Sequence, residues 1–198
     1  MAFIRHGCSA GSRDTPALVR ALSARLLASS NATAALRDWC EEHRIGAGAI
    51  RAVRHRPSAP PHADGDVLDC LCPRTDEPVR HRRVDLARGG LLLSRADNWH
   101  LPRRLPADML RTLDDTDTPF GDVVAPLRPS RRTFFVEFRE SRRRPLGPSG
   151  LGARQSAGAG GVGPDEVLEH KALVLMEDGY PIAVVRERYL STLVPFAA

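Results

Sequence analysis

Lysine is nearly missing from this 198-residue chain: Lys171 stands alone among its 29 lysines and arginines. The net charge of +5 is therefore almost wholly guanidinium. These arginines are dispersed and interleaved with acids, not gathered in the basic stripe that tracks a nucleic-acid backbone, so no nucleic-acid partner is expected. An arginine excess instead suits a small anionic ligand, because the planar fork grips carboxylates bidentately. Aromatic residues make up only 5% of the chain. No run approaches the roughly 18 apolar residues of a membrane helix, so no membrane partner is expected. The opening MAFIRHGCSAGSRD lacks a charged-then-apolar signal organisation, which points to the cytoplasm. Cysteine is sparse: Cys8, Cys40, Cys70 and Cys72. The Cys70-x-Cys72 spacing is too close for a zinc pair, and no matching Cys/His pair follows, so these read as reduced thiols. The acids Asp114, Asp115 and Asp117 lack a spaced partner, so turn chemistry is expected there and no metal. No repeat, P-loop or dinucleotide glycine pattern appears, and no cofactor is implied.

What is present reads as one domain over 1–198, with a loose leader at 1–14. Leu18, Leu22, Leu26 and Leu27 recur at helical spacing behind Thr15-Pro16, and Ser29-Ser30-Asn31 ends that helix. Asn31 or Thr33 then caps a second helix, Ala34 to His43, that turns Leu36 and Trp39 inward. Residues 49–54 alternate as a half-buried strand, PSAPPHADG at 57–65 is a loop, and a further strand is expected at Val67 to Cys72. VRHRRVDL at 79–86, the Gly89-Gly90 turn and Leu91 to Asp97 form a hairpin. Arg83 shares a face of its first strand with Val79, His81 and Asp85. Arg82 shares the other with Val84 and Leu86, and alternation leaves open which face is inside. A short helix at 107–113 and a polar turn at 114–121 lead to an aromatic strand, Arg131 to Arg139. Residues 141–164, rich in Gly, Ser, Ala and Pro, read as a flexible insertion loop. The chain closes on a long hairpin, Val167 to Leu190, with its turn at Glu177 to Tyr180. Glu187 lies there between Arg186 and Arg188, and a glutamate in a buried sheet must be paired or functional. The sum is α+β: one antiparallel sheet of about six strands with helices packed on one face.

Three segments together resemble the chorismate pyruvate-lyase family. They are Val79 to Pro102, with an arginine on the first strand of a glycine-turn hairpin; Thr118-Pro119-Phe120-Gly121, similar to the family's Thr-Pro-Leu-Gly; and Gly179-Tyr180-Pro181 followed by Arg186-Glu187-Arg188-Tyr189-Leu190. The resemblance implies a chorismate lyase-like fold with a buried ligand site between sheet and helices. It also implies an enzyme, a carbon–oxygen lyase that eliminates pyruvate from chorismate to leave a hydroxybenzoate, most simply 4-hydroxybenzoate, without metal or cofactor. Carried over position by position, the active-site arginine falls on Arg83, with Arg82 one residue away, and the essential glutamate on Glu187. Asn31, Phe120 and Gly121 fall beside the ligand. The family's second arginine would fall near Asn98 and is missing, with Arg95 or His100 in reach to replace it. Lys171, set opposite Glu187 on the paired strand, is another candidate cation. The departures at Asn31 and Asn98 open one alternative, the same fold acting on a different aromatic or polyketide-type acid in bacterial natural-product biosynthesis; a second alternative is non-catalytic binding of a small ligand. In either case the partner is a small anionic aromatic-type molecule, and the assembly a monomer or homodimer.

Overall fold

The computed structural model describes residues 15–55, 63, 65–139 and 165–194. The leader, most of the 57–65 loop and the 141–164 insertion expected from sequence lie outside them.

Six antiparallel strands form one sheet in the order β1-β2-β3-β6-β5-β4. They are β1 (Ile50–His55), β2 (Arg80–Arg88), β3 (Leu91–His100), β4 (Ser130–Phe138), β5 (Glu166–Leu175) and β6 (Pro181–Leu190). This is the expected architecture. The turn of the β2–β3 hairpin places both Gly89 and Gly90 at positive φ, +55° and +82°, the backbone that a tight two-residue hairpin turn needs. β6 comes from the far end of the chain and inserts beside β3, so the terminal hairpin supplies the centre of the sheet.

Strand parity assigns the faces. Arg82, Val84 and Leu86 of β2 lie opposite Asn98, Ala96 and Ser94 of β3. Those continue to Val185, Glu187 and Tyr189 of β6 and to Ala172, His170 and Leu168 of β5. Helices α1 (Thr15–Leu27) and α2 (Ala32–Glu42) cover this face. They bury Leu22, Leu26, Leu36 and Trp39 against Val84, Leu86, Leu168 and Tyr189. Helices α4 (Ala107–Asp115) and α5 (Phe120–Val124) continue the layer, packing Met109, Leu113, Phe120 and Val124 against Ala172, Val174 and Val185.

The segment expected as a strand at Val67 to Cys72 is instead helix α3 (Gly65–Leu71). Val67 and Leu71 stand one helical turn apart, and both bury against Trp99, Leu173 and Val184 on the opposite face of the sheet. Spacing of four is helical, and the short apolar run masked it.

Candidate anion-binding recess

Asn31 links the helix layer to the sheet. Its side chain caps α2, accepting from the backbone N–H groups of Thr33 (3.0 Å) and Ala34 (3.2 Å). Its Nδ2 donates to the carbonyl of Gly121 at 3.2 Å. A Cβ on Gly121 would meet Asn31 Oδ1 at 2.6 Å and Thr33 Oγ1 at 3.1 Å. The glycine is thus the condition for α5 to reach the α2 cap. Asn31, Phe120 and Gly121 line one recess, together with Thr33, Asn98, Arg131 and Glu187.

The polar centre of the recess is Glu187, but its partner is neither neighbouring arginine of β6. Arg186 and Arg188 alternate to the other face of the sheet, where they bond Glu169 and Asp97. Glu187 instead accepts from Arg131 Nη2 at 2.6 Å and from the Tyr189 hydroxyl at 2.8 Å. The Arg131 side chain is only 3% exposed. Its Nη1 also donates to Thr133 Oγ1 at 2.7 Å, and its Nε has no partner. Burial pulls the Arg131 guanidinium down, but Glu187 beside it outweighs that and holds it above its ordinary range. Tyr189 is fully enclosed, and its hydroxyl is pushed well above the usual phenol range by burial and then by Glu187. His170, in register with Glu187, is completely buried. Its Nε2 is hydrogen-bonded to Ser23 Oγ of α1 at 3.0 Å, and burial lowers it to about 4.

A second guanidinium sits at the end of the same face. Arg82 lies opposite Asn98 and is 5% exposed. One nitrogen donates to the Thr118 carbonyl at 3.3 Å, while Nε and Nη1 have no partner. Burial lowers Arg82 to about 10, so it stays charged near neutrality. His100 is nearby on the same face, its Nδ1 unpartnered and its ring lowered to about 4 by burial. A buried donor without an acceptor costs free energy. Arg82 carries two such nitrogens.

Three expected site residues belong elsewhere. Arg83 lies on the opposite face, bidentate on Asp97 at 2.8 and 3.2 Å. His81 Nε2, at 2.8 Å, and Arg188 Nη2, at 2.8 Å, also reach that carboxylate. The sheet thus separates Arg83 from Glu187, and the proposed catalytic pair does not exist. The one-residue alternative, Arg82, is the arginine that faces inward. Lys171 is not opposite Glu187: it pairs in register with Arg186, lies over the Phe135 ring and is 3.7 Å from Asp66. Arg95 also faces away, toward Glu166 at 3.6 Å. Arg131 escaped the sequence reading because β4 reaches β6 only through β5, a register that no local signal sets; Arg131 pairs with Val174, on the face that His170 and Glu187 share.

Among the described residues no cluster of metal-ligating side chains occurs. Asp114 takes Arg54 and Arg80, and Asp117 takes Arg51. No described helix is long and apolar enough to cross a membrane.

No protein-family model matches the chain. The uncharacterized protein y4mC of Sinorhizobium fredii (strain NBRC 101917 / NGR234) is 34% identical over 187 residues, covering 92% of this chain and 77% of that protein. Among solved structures, PhnF from Mycobacterium smegmatis aligns with a TM-score of 0.46 and 16% identity over 84% of this chain and 82% of that one. The ligand-binding domain of a GntR-family transcriptional regulator from Bordetella bronchiseptica aligns with a TM-score of 0.42 and 15% identity, over 77% and 91%. These named structures come from transcriptional regulators. The separation of Arg83 from Glu187 across the sheet removes the residue pair on which the expectation of a carbon–oxygen lyase rested, and corrects it.

Proposed function

We propose, from the premise that the chain belongs to the family of the rhizobial protein y4mC, that it binds a small organic anion in the recess without transforming it. The observation that carries this reading is the buried, incompletely satisfied guanidinium of Arg131 in the recess wall, with that of Arg82, outside this lining, further along the same face. A guanidinium almost removed from water and left with unused donors is stabilised by an incoming carboxylate or phosphate. Val84, Leu86, Val124, Val174 and Phe120 supply apolar walls, so the ligand has an apolar or aromatic body and an anionic head. Asn31, Thr33 and Asn98 offer orienting hydrogen bonds along its length.

The cavity volume is about 40 Å³, well below the roughly 300–1,000 Å³ of occupied ligand sites. Binding therefore opens the recess. The economical way is for the ligand's anionic head to take Arg131 from Glu187, one anion replacing another. The known regulators whose domains share the outline of this sheet are described as having ligand-binding or effector domains, in accord with a binding role here. The test is a thermal-shift panel of small carboxylates and phosphate esters, with 4-hydroxybenzoate and isophthalate as aromatic members. Stabilisation by anionic members and not by their neutral amides is expected; no response across the panel refutes the reading.

A further inference from the structure

The structure assigns the outer edge of β4 as a self-pairing surface, on which a second copy of this chain docks antiparallel to extend the sheet across a two-fold axis. β4 ends the strand order, so one row of its backbone N–H and C=O groups faces outward, a standing template for another strand. Proteins ordinarily shield such an edge, yet this one displays Phe134 (42% exposed), Phe135 (37%), Val136 (37%) and Phe138 (53%) in a span of five residues. With roughly 150–250 Å² available per phenylalanine, these side chains expose roughly 300 Å² of apolar surface per copy, distributed on both sides of the unpaired edge, where a strand added to that edge would cover it. None of the four belongs to a core cluster of the described residues.

Charge identifies the occupant as a second copy. The bulge at Phe134 puts Arg132, Phe135 and Glu137 on one face of the strand. Antiparallel pairing about an axis through Phe135 sets Phe135 against its own counterpart and Thr133 against Val136. It also sets Arg132 against Glu137 of the second copy, twice by symmetry. Opposite partners then share a face, as an antiparallel ladder requires. The Arg132 side chain has no ion pair or hydrogen bond among the described residues, whereas the Glu137 side chain is 48% exposed and holds a surface ion pair with Arg139. The strand is thus self-complementary about one axis, the requirement of an isologous contact.

The test is sedimentation velocity on the full chain across a wide concentration series, for the wild type and three variants. The wild type is expected to dimerise reversibly. Arg132→Glu and Glu137→Arg each set like charges against one another twice, and each is expected to raise the dimer dissociation constant about tenfold. Arg132→Glu combined with Glu137→Arg is expected to restore wild-type association, which no loss of folding can mimic. A wild type that stays monomeric throughout overturns the assignment; this is also the result if another part of the same chain covers the edge. A dimer indifferent to both single variants overturns it as well, and a double variant as weak as the singles overturns the register.

Discussion

Removing Glu187 while leaving Arg131 should cost the fold heavily, although the pair itself contributes little net stability. Arg131 is 3% exposed and Glu187 13%, so both charges are largely desolvated. In Glu187→Leu the guanidinium keeps only Thr133 Oγ1 at 2.7 Å and a long contact to the Leu26 carbonyl at 3.4 Å. Neither acceptor is an anion, and the Tyr189 hydroxyl loses its acceptor too. Stranding one member of a buried pair costs about 3–5 kcal/mol. For a chain of this size that is roughly 10 °C or more in Tm. Arg131→Met should cost a similar amount by stranding the carboxylate. Arg131→Met combined with Glu187→Leu removes both charges and should return to within about 1 kcal/mol of wild type. The assay is urea unfolding followed by fluorescence of Trp39 and Trp99, both buried. Near-additive effects of the two substitutions, or single variants that cost less than about 1 kcal/mol, refute the picture of a desolvated, mutually dependent pair.

Three further outcomes are expected. His170 and His100 are both lowered to about 4 by burial, below the unfolded value of about 6.5. The unfolded chain therefore binds more protons between those pH values, and stability present above pH 6.5 is lost as pH falls toward 4; a Tm flat from pH 7 to pH 4 contradicts this. Gly121→Ala drives a methyl into the Asn31 cap and should lose about 1–3 kcal/mol in chemical unfolding, whereas Asn31→Ala should lose about 1 kcal/mol or more; a neutral Gly121→Ala contradicts the close approach. Incubation with chorismate should release no pyruvate in a coupled dehydrogenase assay, and sustained release would reinstate a lyase.

The architecture was legible because its signals are local. The β2–β3 turn needs two glycines at positive φ, Asn31 sits one residue ahead of α2, and the terminal hairpin alternates around Gly179. The site was legible only in part. Asn31, Phe120, Gly121 and Glu187 came from the family resemblance and meet in one recess. The choice between Arg82 and Arg83 did not, because β2 carries charge on both faces: one arginine lies under α-helices and the other in a network around Asp97. Only the packing of the helix layer separates them. The Glu187 partner was hidden because Arg131 lies 56 residues away in sequence, on a strand that meets β6 only through β5. The α3 helix was misread because seven residues are too few to distinguish a buried helical turn from a strand.

The central claim is that Arg82 and Arg131, on the helix-covered face, bind an organic anion, and that Arg83 does not. Isothermal titration tests it most directly, with the strongest carboxylate from the thermal-shift panel against wild type, Arg82→Met, Arg131→Met and Arg83→Met. One-to-one binding to wild type is expected, weakened about tenfold or more by loss of either charge-assisted contact, worth about 1.5–3 kcal/mol each. Arg83→Met should bind as wild type does. Binding that survives both inward-facing substitutions, or that is lost with Arg83, contradicts the account.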